Sequence, residues 1–197
     1  MRRRALLVLA CGLLAGAGPD APAAPIAAFN DALLAGMKAG GTTAFASRAA
    51  ALAPFVERAF DLAGILQASV GPRWNSFSAA QRQEALDAFR AFTIATWVAN
   101  FDRHDGETLE ILGERRRVGA DEVVATRIVP RARAPTRLDY IMRQSAGGWR
   151  AVDILLDGTI SRVTVQRSDF RLLLADGDPT KLIATLRAKA ADHAGAP

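Results

Sequence analysis

The chain has 197 residues, half of them hydrophobic and 23% charged, which suffices for one domain with a real core and excludes a mostly disordered protein. Its net charge of +5 comes almost wholly from arginine, since lysine occurs only at Lys38, Lys181 and Lys189; that balance alone selects no partner among anionic lipid, nucleic acid and acidic protein. Cys11 is the single cysteine and His104 and His193 are the only histidines, so disulfide, thiolate and multi-ligand metal chemistry lack their residues.

The chain opens on Arg2, Arg3 and Arg4, followed by the apolar run Ala5 to Ala15 and small-residue exits at Ala15-Gly16-Ala17 and Ala21-Pro22-Ala23. This is the tripartite pattern of a cleaved secretory signal, too short for a membrane span, and residues 1–24 are assigned to it. Export argues for a soluble periplasmic protein and against nucleic acid as a partner. Removing residues 1–24 takes away three arginines and Asp20, so the net charge falls to +3. Acylation at Cys11 would leave an apolar run of only Ala5 to Ala10, so cleavage beyond it is the expectation. Residues 25–197 are then one domain without cysteine.

Ile26 to Lys38 carries Phe29, Leu33 and Met37 at four-residue spacing and stops at Gly40-Gly41, which predicts an amphipathic helix. Phe45 to Leu52 predicts a second helix that ends before Pro54. Asp61 caps a third through Ile65 and Leu66, terminated by Gly71-Pro72. Ser78-Ala79-Ala80-Gln81 is a capping box and starts the longest helix, to about Arg103. Ala91 to Phe101 holds no charge and places Phe92, Ile94, Trp97, Val98 and Phe101 around all sides, so this half must be buried on several faces or line an apolar cavity.

From Glu107 the period becomes two: Leu109 and Ile111, then Val124, Thr126 and Ile128, then Leu138, Tyr140 and Met142, then Val152 and Ile154. Four strands follow, joined by turns at 113–119, 130–135 and 145–148, as an antiparallel meander. Ser161 to Leu174 returns to helix, and Asp178-Pro179 opens a last one. The expected class is α+β: a helical N-terminal half packed on a curved four-stranded antiparallel sheet, with C-terminal helices, cone-like in the NTF2 manner around an apolar pocket.

Gly148-Trp149-Arg150-Ala151-Val152-Asp153, followed by Asp157-Gly158-Thr159-Ile160-Ser161, resembles the C-terminal signature of the MlaC-type family of periplasmic lipid carriers. Arg167, Phe170, Leu182 and Leu186 continue it, and Phe60-Asp61, Gly71 to Trp74, Gln81 and Phe89 match upstream. Gly158-Thr159-Ile160-Ser161 and Arg167-Ser168-Asp169-Phe170 look most like the hopanoid-associated HpnM branch. The sequence departs from the family pattern at Trp97 and Gln166, where the family has tyrosine. The resemblance implies a shuttle carrying phospholipid or a hopanoid-type lipid, serving as the soluble component of an ABC-type transport system and meeting a membrane-bound complex. It assigns Phe60, Ile65, Leu66, Trp74, Phe89, Phe92, Trp97, Phe101, Ile128, Tyr140, Trp149 and Phe170 to the lipid pocket. It implies no cofactor, metal or catalytic residue. Taking acyl chains out of water at about 0.8 kcal/mol for each CH₂ requires such an apolar interior.

The rival reading is a small cone-fold enzyme, an isomerase or dehydratase acting on an apolar substrate through Asp153 or His104. Period-two alternation puts Asp153 on the strand face of Trp149, Ala151 and Leu155, where a buried carboxylate needs Arg167 or backbone amides as partner. His104 falls where the long helix ends, a favourable place for it without any catalytic role. Arg115, Arg116, Arg117, Arg131 and Arg133 sit on two sheet turns, either as solvated charge guarding strand edges or as one patch for anionic head groups or an acidic surface.

Overall fold

The computed structural model describes residues 21–40 and 42–195, so residues 1–20 of the expected signal segment, Cys11 among them, lie outside the described residues. Helix α1 (Ala24–Ala39) buries Ile26, Phe29, Leu33 and Met37 along the face its spacing predicts. Helix α2 spans Phe45–Ala59 and runs through Pro54, where the sequence predicts a stop. An interior proline costs about 3 kcal/mol in a helix. The buried face of Leu52, Val56 and Ala59 outweighs it here.

Asp61 caps α3 (Leu62–Val70) by accepting the Gly64 N–H, and a short 3-10 turn, Gly71–Ser76, follows. The capping box is complete: Gln81 N–H donates to Ser78 Oγ and Ser78 N–H to the Gln81 side chain. It opens α4 (Ala79–Asn100), which ends three residues before the expected Arg103. Helices α5 (Arg162–Leu173) and α6 (Thr180–Gly195) close the chain, with α6 packed on α4 and α5 on α3. None of the described helices is long and apolar enough to cross a membrane.

The sheet has six strands, not the expected four: β1 (Thr108–Ile111), β2 (Arg116–Val118), β3 (Asp121–Val129), β4 (Thr136–Ser145), β5 (Gly148–Leu156) and β6 (Ile160–Ser161). Pairing is antiparallel in the order β1-β3-β4-β5-β6, and β2 also pairs with β3. β1 and β2 are successive halves of one edge ribbon, joined by the Leu112 N–H donating to the Ala125 carbonyl. β2 lies in the predicted turn 113–119 because all three of its residues are exposed, leaving no apolar alternation to read.

β6 is a two-residue return made by a tight turn in which Asp157 and Gly158 both have positive φ, 50° and 71°. Glycine also suits position 158 sterically, since a Cβ there would crowd Asp139 Oδ2 at 3.2 Å. In β5, Ala151 pairs with Met142 and Asp153 with Ile141, which leaves Val152 as a bulge. The extra residue breaks the predicted alternation. Trp149 and Ala151 share the helix-facing side with Ile154 and Leu156, whereas Asp153 and Leu155 turn to the opposite face. The segment between α2 and α3 joins the sheet beside this bulge, with Phe60 bridging to Ala151 and the Asp61 N–H donating to the Ala151 carbonyl.

Candidate binding cavity

Between α4, α5 and the helix-facing side of the sheet lies a cavity of about 350 Å³, within the range of small-molecule sites. Its deep end is built from the buried side chains Phe60, Leu62, Ile65 and Phe89. Its exposed lining residues, which mark the mouth, are Asn100 at the end of α4, Leu156 at the end of β5 and Arg162 at the start of α5. The aromatic wall is held rigidly. Phe29, fully buried in α1, meets Phe60 edge-on at 5.2 Å and Trp97 at 4.9 Å, while Trp97 lies 5.5 Å from Phe101.

The charge-free half of α4 divides its faces between core and cavity. Ile94, Ala95 and Val98 are buried, and Phe92, Thr93, Thr96, Trp97, Asn100 and Phe101 line the cavity. The Thr96 hydroxyl donates to the Phe92 carbonyl at 2.7 Å, so its polarity is satisfied within the helix. The Gln166 amide stands 3.1 Å from the Ser69 hydroxyl, tying α5 to α3.

Of the pocket residues assigned from the sequence, Phe60, Ile65, Phe89, Phe92, Trp97, Phe101 and Ile128 line this cavity. Five others lie elsewhere. Leu66, one residue on from Ile65 in α3, is wholly buried in the core. Tyr140 is 2% exposed in the core, 6.0 Å from Phe60, and burial pushes its phenol pKa up so that it stays neutral. Phe170 backs Phe89 edge-on at 6.4 Å. Trp74 packs on Phe77 under Arg82, and Trp149 packs half-buried against the core near the β4–β5 turn. The residues that sequence reasoning missed are chiefly Leu138, Ile154 and Leu156 on the sheet and Thr93, Thr96 and Asn100 on α4. A helical stripe through 89, 93, 96 and 100 was readable, but its polar members concealed it.

Asp153 lies on the other face of the sheet but borders the cavity at the β5–α5 junction, and its carboxylate is already occupied. It accepts the Ile154 N–H at 2.7 Å, the Val163 N–H at 3.1 Å and the Ser161 hydroxyl at 2.5 Å; Ser161 in turn caps α5 through the Thr164 N–H. Arg167 is not its partner, because Nε and Nη2 both donate to the Ala68 carbonyl. His104 is beyond the end of α4 rather than at it, with Nε2 placed to donate to the Glu107 carbonyl at 3.1 Å, and it is not part of the cavity wall. Asp153→Asn should therefore lower stability by about 1–3 kcal/mol, through loss of charge-assisted bonds at the β5–α5 junction. Thermal melting would show this, while ligand binding per folded molecule is expected to stay at the wild-type level.

The five turn arginines do not form one patch. β2 lies against the start of β3 and residues 130–135 lie beyond its other end. Arg116 pairs with the buried Asp139 and Arg117 with Glu122 at 3.1 Å, which assigns both to holding the sheet together. Among the described residues no group of His, Cys, Asp and Glu is arranged to hold a metal ion.

Comparison with solved structures finds a phospholipid-binding protein from Ralstonia solanacearum, in complex with a phospholipid, at a TM-score of 0.74 and 21% identity. The match covers 87% of this chain and 97% of that one, so the two share the fold. No curated protein matches. The family model described as MlaC protein matches residues 28–188, from within α1 to within α6 and across the whole cavity. The chain belongs to the MlaC family.

Proposed function

We propose that this chain is a periplasmic lipid-binding shuttle. It is exported by residues 1–24 and carries phospholipid or a hopanoid-type lipid between membranes as the soluble component of an ABC-type transport system. The carrying observation is the cavity itself: apolar and aromatic at its closed end, open at one mouth, with Thr96 and Asp153 of its wall already bonded within the protein. Burying an acyl chain there recovers roughly 0.8 kcal/mol for each CH₂ removed from water. The phospholipid held by the Ralstonia protein of the same fold supports this ligand class. The bulged β5 and interrupted edge ribbon favour a sheet curved around the cavity, as in the cone of NTF2-like proteins.

An enzyme of the same shape is less well supported, since Asp153 is bonded to backbone and Ser161 and His104 lies outside the wall. Native mass spectrometry of protein purified from its own cell envelope tests the assignment. One lipid per chain, recovered chemically unchanged, is the expected result. Protein without bound lipid, or with a converted one, would overturn it.

A further inference from the structure

Arg162 is the one cationic side chain on the wall of the cavity among the described residues. It stands at the mouth, exposed, in the first turn of α5. The ion pairs formed elsewhere by Arg116, Arg117, Arg127, Arg137 and Arg143 have no counterpart here: among the described residues no carboxylate lies within 4.0 Å of Arg162 and none accepts a hydrogen bond from it. Its nearest acidic lining neighbour in sequence, Asp153, directs its oxygens to the Ile154 and Val163 amides and to Ser161. The amides of Val163 and Thr164, the second and third of the helix, are thereby spent on Asp153 and Ser161. The guanidinium is the one positive charge at the mouth among the described residues.

We propose that Arg162 anchors the phosphate of a lipid whose chains fill the cavity, so that this carrier selects phosphate-bearing lipids over uncharged ones such as polycyclic alcohols. The inference rests on the carrier reading and narrows it to one ligand class. A ligand with its chains among Phe60, Ile65 and Phe89 puts its polar group at the mouth, where Asn100 and Arg162 are the polar side chains in reach of solvent. A planar guanidinium matches two phosphate oxygens at once, which a neutral hydroxyl head group cannot exploit.

The test compares dioctanoyl-phosphatidylglycerol with dioctanoylglycerol, which has the same chains and no phosphate, by calorimetric titration of delipidated full-length mature protein. Wild type is expected to bind the phospholipid about tenfold more tightly, the low end for charge-assisted bonds because the site is open to water. In Arg162→Gln that preference disappears while dioctanoylglycerol is bound as before, and Arg162→Lys restores part of it. Sodium phosphate should not displace the phospholipid; displacement would assign Arg162 to free phosphate and overturn the lipid assignment. Equal phospholipid binding by wild type and Arg162→Gln would make the arginine a solvated surface charge and sink the proposal. Binding of neither ligand by wild type would instead remove the carrier reading beneath it.

Discussion

Phe92→Asp is expected to strip the protein of its lipid while leaving it folded. Phe92 is half-buried on α4, with its ring on the cavity wall and the His193 ring of α6 stacked 6.2 Å away. A carboxylate there must either keep its water, which blocks the acyl chain, or lose it at a cost of several kcal/mol. Affinity should fall by at least about a hundredfold, the equivalent of nearly 3 kcal/mol. Ala91→Asp, one position away on the exposed side of the same helix, controls for helix propensity and charge and should keep its lipid. Phe92→Leu should keep it as well. Native mass spectrometry beside circular dichroism reads both properties, and a folded Phe92→Asp variant that still carries lipid would show that the cavity is not the binding site.

The second large effect is on stability, at Asp139. Its side chain is fully buried on the sheet face away from the cavity, paired with Arg116 of β2 and with Arg137 Nε at 2.8 Å. Glu114 completes the chain of charges by pairing with Arg137 at 2.5 Å. Asp139→Asn keeps the shape and removes the charge, leaving two guanidiniums without the anion between them. Breaking a buried pair costs roughly 3–5 kcal/mol. Because the arginine side chains are 43% and 35% exposed and can turn to water, the lower end applies. A loss of about 3 kcal/mol lowers the melting temperature by roughly 10 °C in a domain of this size. A shift under about 2 °C would show that the network contributes nothing to folding. Arg137 also holds the Glu114 carboxyl below its ordinary pKa. The unfolded chain therefore takes up the proton first: this outer link is intact at neutral pH and is lost only as the pH falls through the lowered value.

What could be read before folding was whatever depends on local chemistry. The capping box at Ser78 and Gln81, the α1 stripe of Phe29, Leu33 and Met37, and the Asp61 cap are each decided within four residues, and each stands where its pattern placed it. What depends on partners distant in sequence was not readable. Pro54 stays helical because α2 buries one face against α1 and α4, a gain invisible in the segment alone. β2 is held by a neighbouring strand and by arginine pairs, so its own residues carry no strand signal.

The bulge at Val152 had the largest consequence for the site. One extra residue put Ile154 and Leu156 on the side of Trp149 and Ala151, where strict alternation from Trp149 has Asp153 and Leu155. Aromatic content found five wall residues, with Ile65 and Ile128 beside them, and also gathered Tyr140, Trp74, Trp149, Phe170 and the aliphatic Leu66, which serve the core around the cavity. A ring in the core and a ring on a cavity wall have the same periodicity, and only the space beside them tells them apart.

Trp97 carries that distinction into optics. Of the three tryptophans it alone is on the cavity wall among the described residues, while Trp74 and Trp149 are not among the residues that line it. The molecule thus contains its own emitter at the place where cargo arrives. An acyl chain brominated along its length would darken Trp97 on entry and leave the other two indoles bright. Loading and unloading can then be timed in the unmodified chain, by stopped flow and without an attached dye, and the depth of quenching against bromine position reports how far along the cavity each carbon comes to rest.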